Sequence, residues 1–235
     1  NPAERTVMNK YDSYWVEGKP FYDRIIMYYM PEEATRLEAI KSGAVDVINS
    51  FSLAQVEGLN ERDSITVTGT ESATIRNLVM DTREGSIFSD KNARKGLQYA
   101  IDRDFVRKAV TYGFGANAND HPIGTLDPMY WAEQPIINQD IELSRSYLEA
   151  AGYNDSNPLS FELDASDFSQ MLELALAVEQ SVEATDLPIE IEVAKHEEST
   201  FWEAIWMMPG GTPAVTSAWN GRPAAQAVSV ALKSG

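Results

Sequence analysis

The 235 residues contain no cysteine and two histidines. The first absence removes disulfides, thiolate nucleophiles and cysteine-held zinc or iron–sulfur centres, and fits either a reducing or an oxidising compartment. The second leaves His121 and His196 isolated, with no HExxH pair and no carboxylate cluster at ligand spacing, so neither a protein-built metal site nor a cofactor is expected. Basic residues are scarce as well: 19 Lys and Arg stand against 36 Asp and Glu, a net charge of −17. Such a surface repels phosphate, which sets nucleic acid aside as a partner and favours solubility. No apolar run approaches the roughly 18 residues of a membrane span, and the amino end has neither the basic nor the apolar region of a signal peptide. Its first residues, NPAERTVMNK, read as mid-protein sequence, so the chain is expected to be a fragment. There is no GxSxG elbow, no P-loop, and no third glycine in GFGANA, so no catalytic residue is assigned.

What is present is ordinary for a globular chain, 43% hydrophobic and 23% charged, and its most specific block is FSDKNARKGLQYAIDRDFVRKAVTYGFGANANDHPIG at residues 88–124. Asp90 stands where an N-cap belongs, ahead of Ala93, Leu97, Ala100 and Ile101 on one helical stripe. Asp102 offers a second cap before Phe105, Val106, Ala109 and Val110, and Gly113 and Gly115 let the chain leave the helix. Around this block strands and helices alternate. RIIMYYM at 24–30 reads as a strand, a helix follows from Pro31 through Leu37 to Gly43, and VDVI at 45–48 would complete a βαβ unit with a right-handed crossover. A short helix at 52–60, strands at 65–69 and 73–81, and a helix from Asp140 to Gly152 follow. A second strand, helix, strand unit spans LSFELD, Leu172 to Val182 and IEIEV, whose clean alternation reads as a half-exposed edge. FWEAIW at 201–206 has helical spacing with Phe201, Trp202, Ile205 and Trp206 as a core face. The loop MMPGGTP, the strand AVTSAW and the helix AAQAVSVALK close an α/β architecture.

The order of these motifs resembles the extracytoplasmic solute-binding proteins of ABC importers, in the peptide, opine and nickel class called family 5. The resemblance rests on YAIDR, YGFG and ANDHPIG, with GKPFYDRI and PEEATRLEAIKSGAVDVI upstream and QDIELSRSYLEAAGY and SAWNGRP downstream. It implies a periplasmic-binding-protein-like fold of type II, with residues 1–75 as part of lobe I and 76–235 as an incomplete lobe II. It also implies a bacterial periplasmic or extracytoplasmic location, a small-molecule or peptide solute, a membrane permease as partner, and a monomer in the intact form.

Trp219 sits between a strand and the turn GRP, where an aromatic face and backbone donors can converge on a ligand; packing alone is the other reading, and the resemblance favours binding. In peptide-binding members resembling this chain, an Asp after the W, any residue, Gly segment pairs with the peptide ammonium. Here that position is Arg222, which suits a carboxylate, unless it pairs with a carboxylate of the protein itself. Asn220 would add amide hydrogen bonds. His121, in the polar loop, faces ligand or serves as a hydrogen-bonded structural residue; His196 is expected to be exposed. A hydrolase or transferase would need a nucleophile or an acid and base pair that is not found, and a non-catalytic structural domain is the remaining alternative.

Overall fold

The computed structural model describes residues 5–49, 51–69, 72–166, 168–206, 208 and 211–231. They fall into two compact units, Asn1–Gly69 and Thr70–Gly235.

In the first unit, β1 (Arg5–Asn9) and β2 (Arg24–Tyr28) form an antiparallel ribbon with Arg5 opposite Tyr28 and Asn9 opposite Arg24. Helix α1 (Glu33–Lys41) buries Leu37 and Ala39 and ends before Gly43, which takes a φ of 73°. Helix α2 (Val56–Asn60) follows a 3-10 turn at Leu53–Gln55. The strand expected at residues 45–48 is not formed, so the βαβ unit with its right-handed crossover is absent. Val47 is 81% exposed there, and β2 takes β1 as its partner instead. The reason is physical: a four-residue run with Asp46 at its middle cannot bury a face alone, and β propensity yields where no cross-strand partner is supplied. Residues 65–69, also expected as a strand, are irregular for the same reason.

The second unit is a four-stranded sheet in the order β3 (Ile75–Met80), β6 (Ala214–Trp219), β4 (Leu159–Ser166), β5 (Ile189–His196). β4 runs parallel to both β5 and β6, and β3 runs antiparallel to β6. The expected edge strand is therefore β5. Helix α6 (Met171–Glu183) links β4 to β5 and packs with Leu159, Phe161 and Leu163 into the main core, together with α3 (Lys91–Ala100) and α5 (Ile141–Ala150). Three expected caps are made: Asp90 accepts from Asn92 N, Asp140 from Leu143 N, and Asp102 from Asp104 N and Phe105 N at the start of α4 (Arg103–Thr111). Each offers a carboxylate to otherwise unpaired N–H groups of a first turn.

Gly96 on α3 is a packing glycine, because a Cβ there would lie 2.7 Å from Cδ2 of the buried Leu148 on α5. The close approach lets Ser144 Oγ donate to Gly96 O at 2.8 Å.

The aromatic stretch after β5 is wound differently from the expected α-helix. A single turn, α7 (Glu198–Thr200), passes into a π-type turn over Phe201–Ile205 that closes with Trp206 N donating to Phe201 O. Phe201 is buried, but Trp202 is 38% exposed, so the expected core face is only partly inside. Within the loop expected at residues 207–213, residues 207, 209 and 210 lie outside the described set. The last helix, α8, is described as Ala224–Ala231, and its expected extension lies outside the described residues as well.

Candidate functional site

Because β4, β5 and β6 are parallel, Ser166, His196 and Trp219 end on one edge of the sheet, where α/β folds carry ligand crevices. The chain leaves that edge through residues 220–223 and enters α8. Asp127 anchors this entry: its Oδ2 accepts from Ala224 N at 3.2 Å while its Oδ1 accepts from Met129 N at 2.8 Å. Ile123, Ala224 and Ala227 are buried together with Tyr130 packed against them. The loop that carries His121 is thereby fixed to the turn that carries Arg222.

Two glycines make the approach tighter. A Cβ on Gly124 would lie 2.8 Å from Ala73 Cβ, and one on Gly221 would lie 2.5 Å from the same atom. Ala73, just before β3, thus sits between the two segments, and neither glycine admits a side chain without displacement.

His121 is half-buried. Its Nδ1 lies 3.3 Å from Ile123 N and its ring meets Tyr130 edge-on at 5.9 Å. Asn119, two residues earlier, is buried and closes the loop: its Nδ2 donates to Trp131 O at 2.9 Å, and Gln134 Nε2 donates to Asn119 O at 2.8 Å. Trp219 is 6% exposed. One side of it meets Trp206, with ring centroids 6.4 Å apart and planes at 74°, and the Arg222 guanidinium carbon lies 5.6 Å from its ring. That distance is within reach of a cation–π contact. Arg222 and Asn220 are exposed. Among the described residues Arg222 makes no ion pair, and the Asn220 side chain makes no hydrogen bond. Trp219 is therefore buried at the base of the turn with the Arg222 guanidinium against its ring, and Asp127 ties the start of the helix that follows to the His121 loop.

His196 differs from its expected exposure. Its side chain is 22% exposed and its Nε2 is hydrogen-bonded to Oδ1 of Asp164, a residue 1% exposed. The sequence reading did not bring Asp164 and His196 together: alternation puts Asp164 on the side of the exposed Ser160 and Glu162, and His196 on that of the exposed Glu190 and Glu192, so strand parity pointed outward for both. On β3, at the opposite edge of the sheet, Arg76 is partly buried, and this desolvation pushes its guanidinium below the usual range against the opposing pull of Glu173. Among the described residues no group of three or more His, Cys, Asp or Glu is placed to hold a metal ion, and no helix is long and apolar enough to cross a membrane.

Residues 1–232 match the bacterial extracellular solute-binding proteins, family 5 middle. The chain belongs to this family. Among curated relatives, the nickel-binding protein NikA of Staphylococcus aureus is 26% identical over 191 residues, covering 81% of this chain and 38% of that protein. Heme-binding protein A of Haemophilus influenzae is 25% identical over 157 residues, covering 66% of this chain and 27% of that protein. Among solved structures, a putative peptide binding protein AppA from Clostridium difficile superposes with a TM-score of 0.79 at 19% identity, over 92% of this chain and 44% of that one. The fold of this family 5 chain is thus that of the periplasmic binding proteins, and the chain spans less than half the length of each of these three relatives.

Proposed function

We propose that this chain is part of the substrate-binding component of an ABC importer, which captures a small solute between two lobes and delivers it to a membrane permease outside the cytoplasm. Family membership over residues 1–232 is the observation that carries this reading. It fits a binding role rather than a catalytic one. In an intact protein of two lobes, enclosure excludes water from the bound solute.

Relatives named for nickel, heme and peptide binding share this fold, so the fold does not choose the solute. The choice falls to the wall formed by Trp219, Asn220, Arg222 and the His121 loop. An exposed guanidinium with no carboxylate partner among the described residues, beside an indole, favours a solute that offers a carboxylate, which Arg222 can hold in a bidentate pair while Asn220 supplies amide hydrogen bonds. His121 acts chiefly through the loop it braces.

The test is a thermal-shift panel of peptides, amino acids, sugars and metal chelates on the full-length protein, followed by calorimetry with whatever binds. Arg222→Ala is expected to weaken binding by about 1.5 to 3 kcal/mol, the worth of a charged hydrogen bond. Unchanged affinity would remove Arg222 from the site, and turnover of a panel member would replace the binding reading with an enzymatic one.

A further inference from the structure

Gly124 and Gly221 are spacing glycines rather than turn glycines. Neither takes a positive φ, so neither is demanded by the conformation of the backbone. What excludes a side chain at both is Ala73. The β3–β6 register pairs Ile75 with Trp219, and two residues further it sets Ala73 against Gly221. Opposed residues of an antiparallel pair keep their Cβ atoms about 4.5 to 5.5 Å apart, but a Cβ on Gly221 would lie 2.5 Å from that of Ala73. The two segments approach more closely than two side chains allow, and a single methyl fills the space.

The same methyl meets the His121 loop. A Cβ on Gly124 would lie 2.8 Å from Ala73 Cβ, 3.1 Å from its carbonyl oxygen and 3.2 Å from its Cα. Asp127 joins the two glycine segments: its N–H donates to Gly124 O at 3.0 Å, and its Oδ2 accepts from Ala224 N at 3.2 Å. Pro223, whose ring fixes φ, stiffens the turn between Gly221 and Ala224. Ala73 therefore occupies a slot lined by Gly124 and Gly221. It also belongs to the stretch by which the chain enters the second unit, which begins at Thr70.

We propose that Ala73 is a positioning residue of the solute wall: its methyl is the spacer between the His121 loop and the Arg222 turn, and it couples both to the strand that enters the unit. The inference rests on the reading of those two segments as the wall. One methyl is the content the slot fits. None leaves a gap and takes away the neighbour the two segments share, and two collide and push the segments apart. At Gly221 the source of the methyl does not matter. With the Ala73 side chain removed, a Cβ at position 221 would keep 3.5 Å from Cα and 3.6 Å from the carbonyl oxygen of residue 73, ordinary van der Waals distances. At Gly124 it does matter, because the 3.1 and 3.2 Å approaches to the backbone of residue 73 remain. Movement of the entering strand thus changes the spacing of the wall, and a solute that fixes the spacing holds the strand.

Hydrogen exchange read by mass spectrometry on the full-length protein without solute, over a series that moves the methyl, tests it. Ala73→Gly is expected to speed exchange about threefold or more in residues 119–130 and in residues 219–227, neither of which contains it. Gly221→Ala should speed exchange in both segments and in residues 72–80. The double variant, Ala73→Gly with Gly221→Ala, should return all three to within about twofold of the parent, a non-additivity that marks direct contact. Backbone freedom gained at residue 73 would persist in the double variant, so recovery separates the methyl from the backbone. Ala73→Gly should recover Gly124→Ala less completely. If Gly221→Ala alone fails to fold, a folded double variant is the recovery, and Ala73→Gly, which deletes one methyl from a half-buried residue, still reads both segments. Either segment unmoved by Ala73→Gly, no recovery in the double variant, or equal recovery of Gly124→Ala overturns the slot. Arg222→Ala keeps the two readings apart. Unchanged solute affinity there, with the methyl swap recovering, removes the wall and leaves the slot; weakened affinity there, with the swap failing, removes the slot and leaves the wall.

Discussion

The β1–β2 ribbon shows solvent on both faces, with Val7, Ile25 and Ile26 all exposed, whereas the carboxyl half of β4 is buried on both faces from Leu163 to Ser166. Both strands are rich in apolar residues, so composition does not separate them. What separates them is cover: β4 has α6 and the main core on one side and its later residues beneath the neighbourhood of Phe201 on the other, while among the described residues the two strands of the ribbon pair only with each other. An apolar side chain stabilises a fold by the area it removes from water, about 25 cal/mol per Å², and an uncovered strand removes little.

The comparison breaks most easily at Leu163. Leu163→Ala, at a fully buried position, is expected to cost about 2 to 5 kcal/mol in denaturant unfolding, whereas Ile26→Ala should cost under about 1 kcal/mol. Equal losses would mean that the ribbon is covered in solution. Next comes Gly221→Ala, whose new Cβ would meet Ala73 Cβ at 2.5 Å. Overpacking there should cost about 1 to 3 kcal/mol, and solute affinity should fall with it, because the turn carrying Arg222 must move. Asp102→Ala removes a cap that serves two N–H groups and should lose about 1 kcal/mol. Ser52→Ala in the first unit removes one long bond of 3.4 Å to Ala54 N and should lose only a few tenths on the same cap scale.

The smallest effect is electrostatic. Burial, then the neighbouring Glu183, pushes the Glu179 carboxyl above its ordinary value. A carboxyl raised by folding opposes the folded state once ionised, so its penalty is present above the raised value and vanishes as pH falls below the unfolded value. Glu179→Gln should therefore raise the melting temperature slightly at pH 7, by the equivalent of about 0.5 kcal/mol or less, and the advantage should disappear in acid. A gain independent of pH would assign it to packing.

What could be read from sequence was local. Asp90, Asp102 and Asp140 announce helix starts because a cap needs only the N–H groups that follow it, and all three act as caps. The alternation of IEIEV likewise gave an edge strand. Residues 45–48 and 65–69 misled because a strand needs a partner from elsewhere, and the partner of β2 came from Arg5–Asn9, whose RTVMN carries no strong pattern. For the candidate site, the turn at Trp219 to Arg222 was visible as an aromatic beside Gly and Pro. Its anchoring was not, since the bond from Ala224 N to Asp127 spans 97 residues. Asp164 escaped notice, and His196 was expected to be exposed, because both lie on the parity of exposed neighbours in β4 and β5.

The central claim is that the His121 loop and the Trp219 to Arg222 turn form one solute-binding wall. Hydrogen exchange followed by mass spectrometry, on the full-length protein with and without a solute found by the thermal-shift panel, tests it most directly. Slowed exchange confined chiefly to peptides covering residues 119–130 and 219–227 is the expected result. Solute-dependent protection elsewhere, with both of these segments unchanged, would contradict the claim.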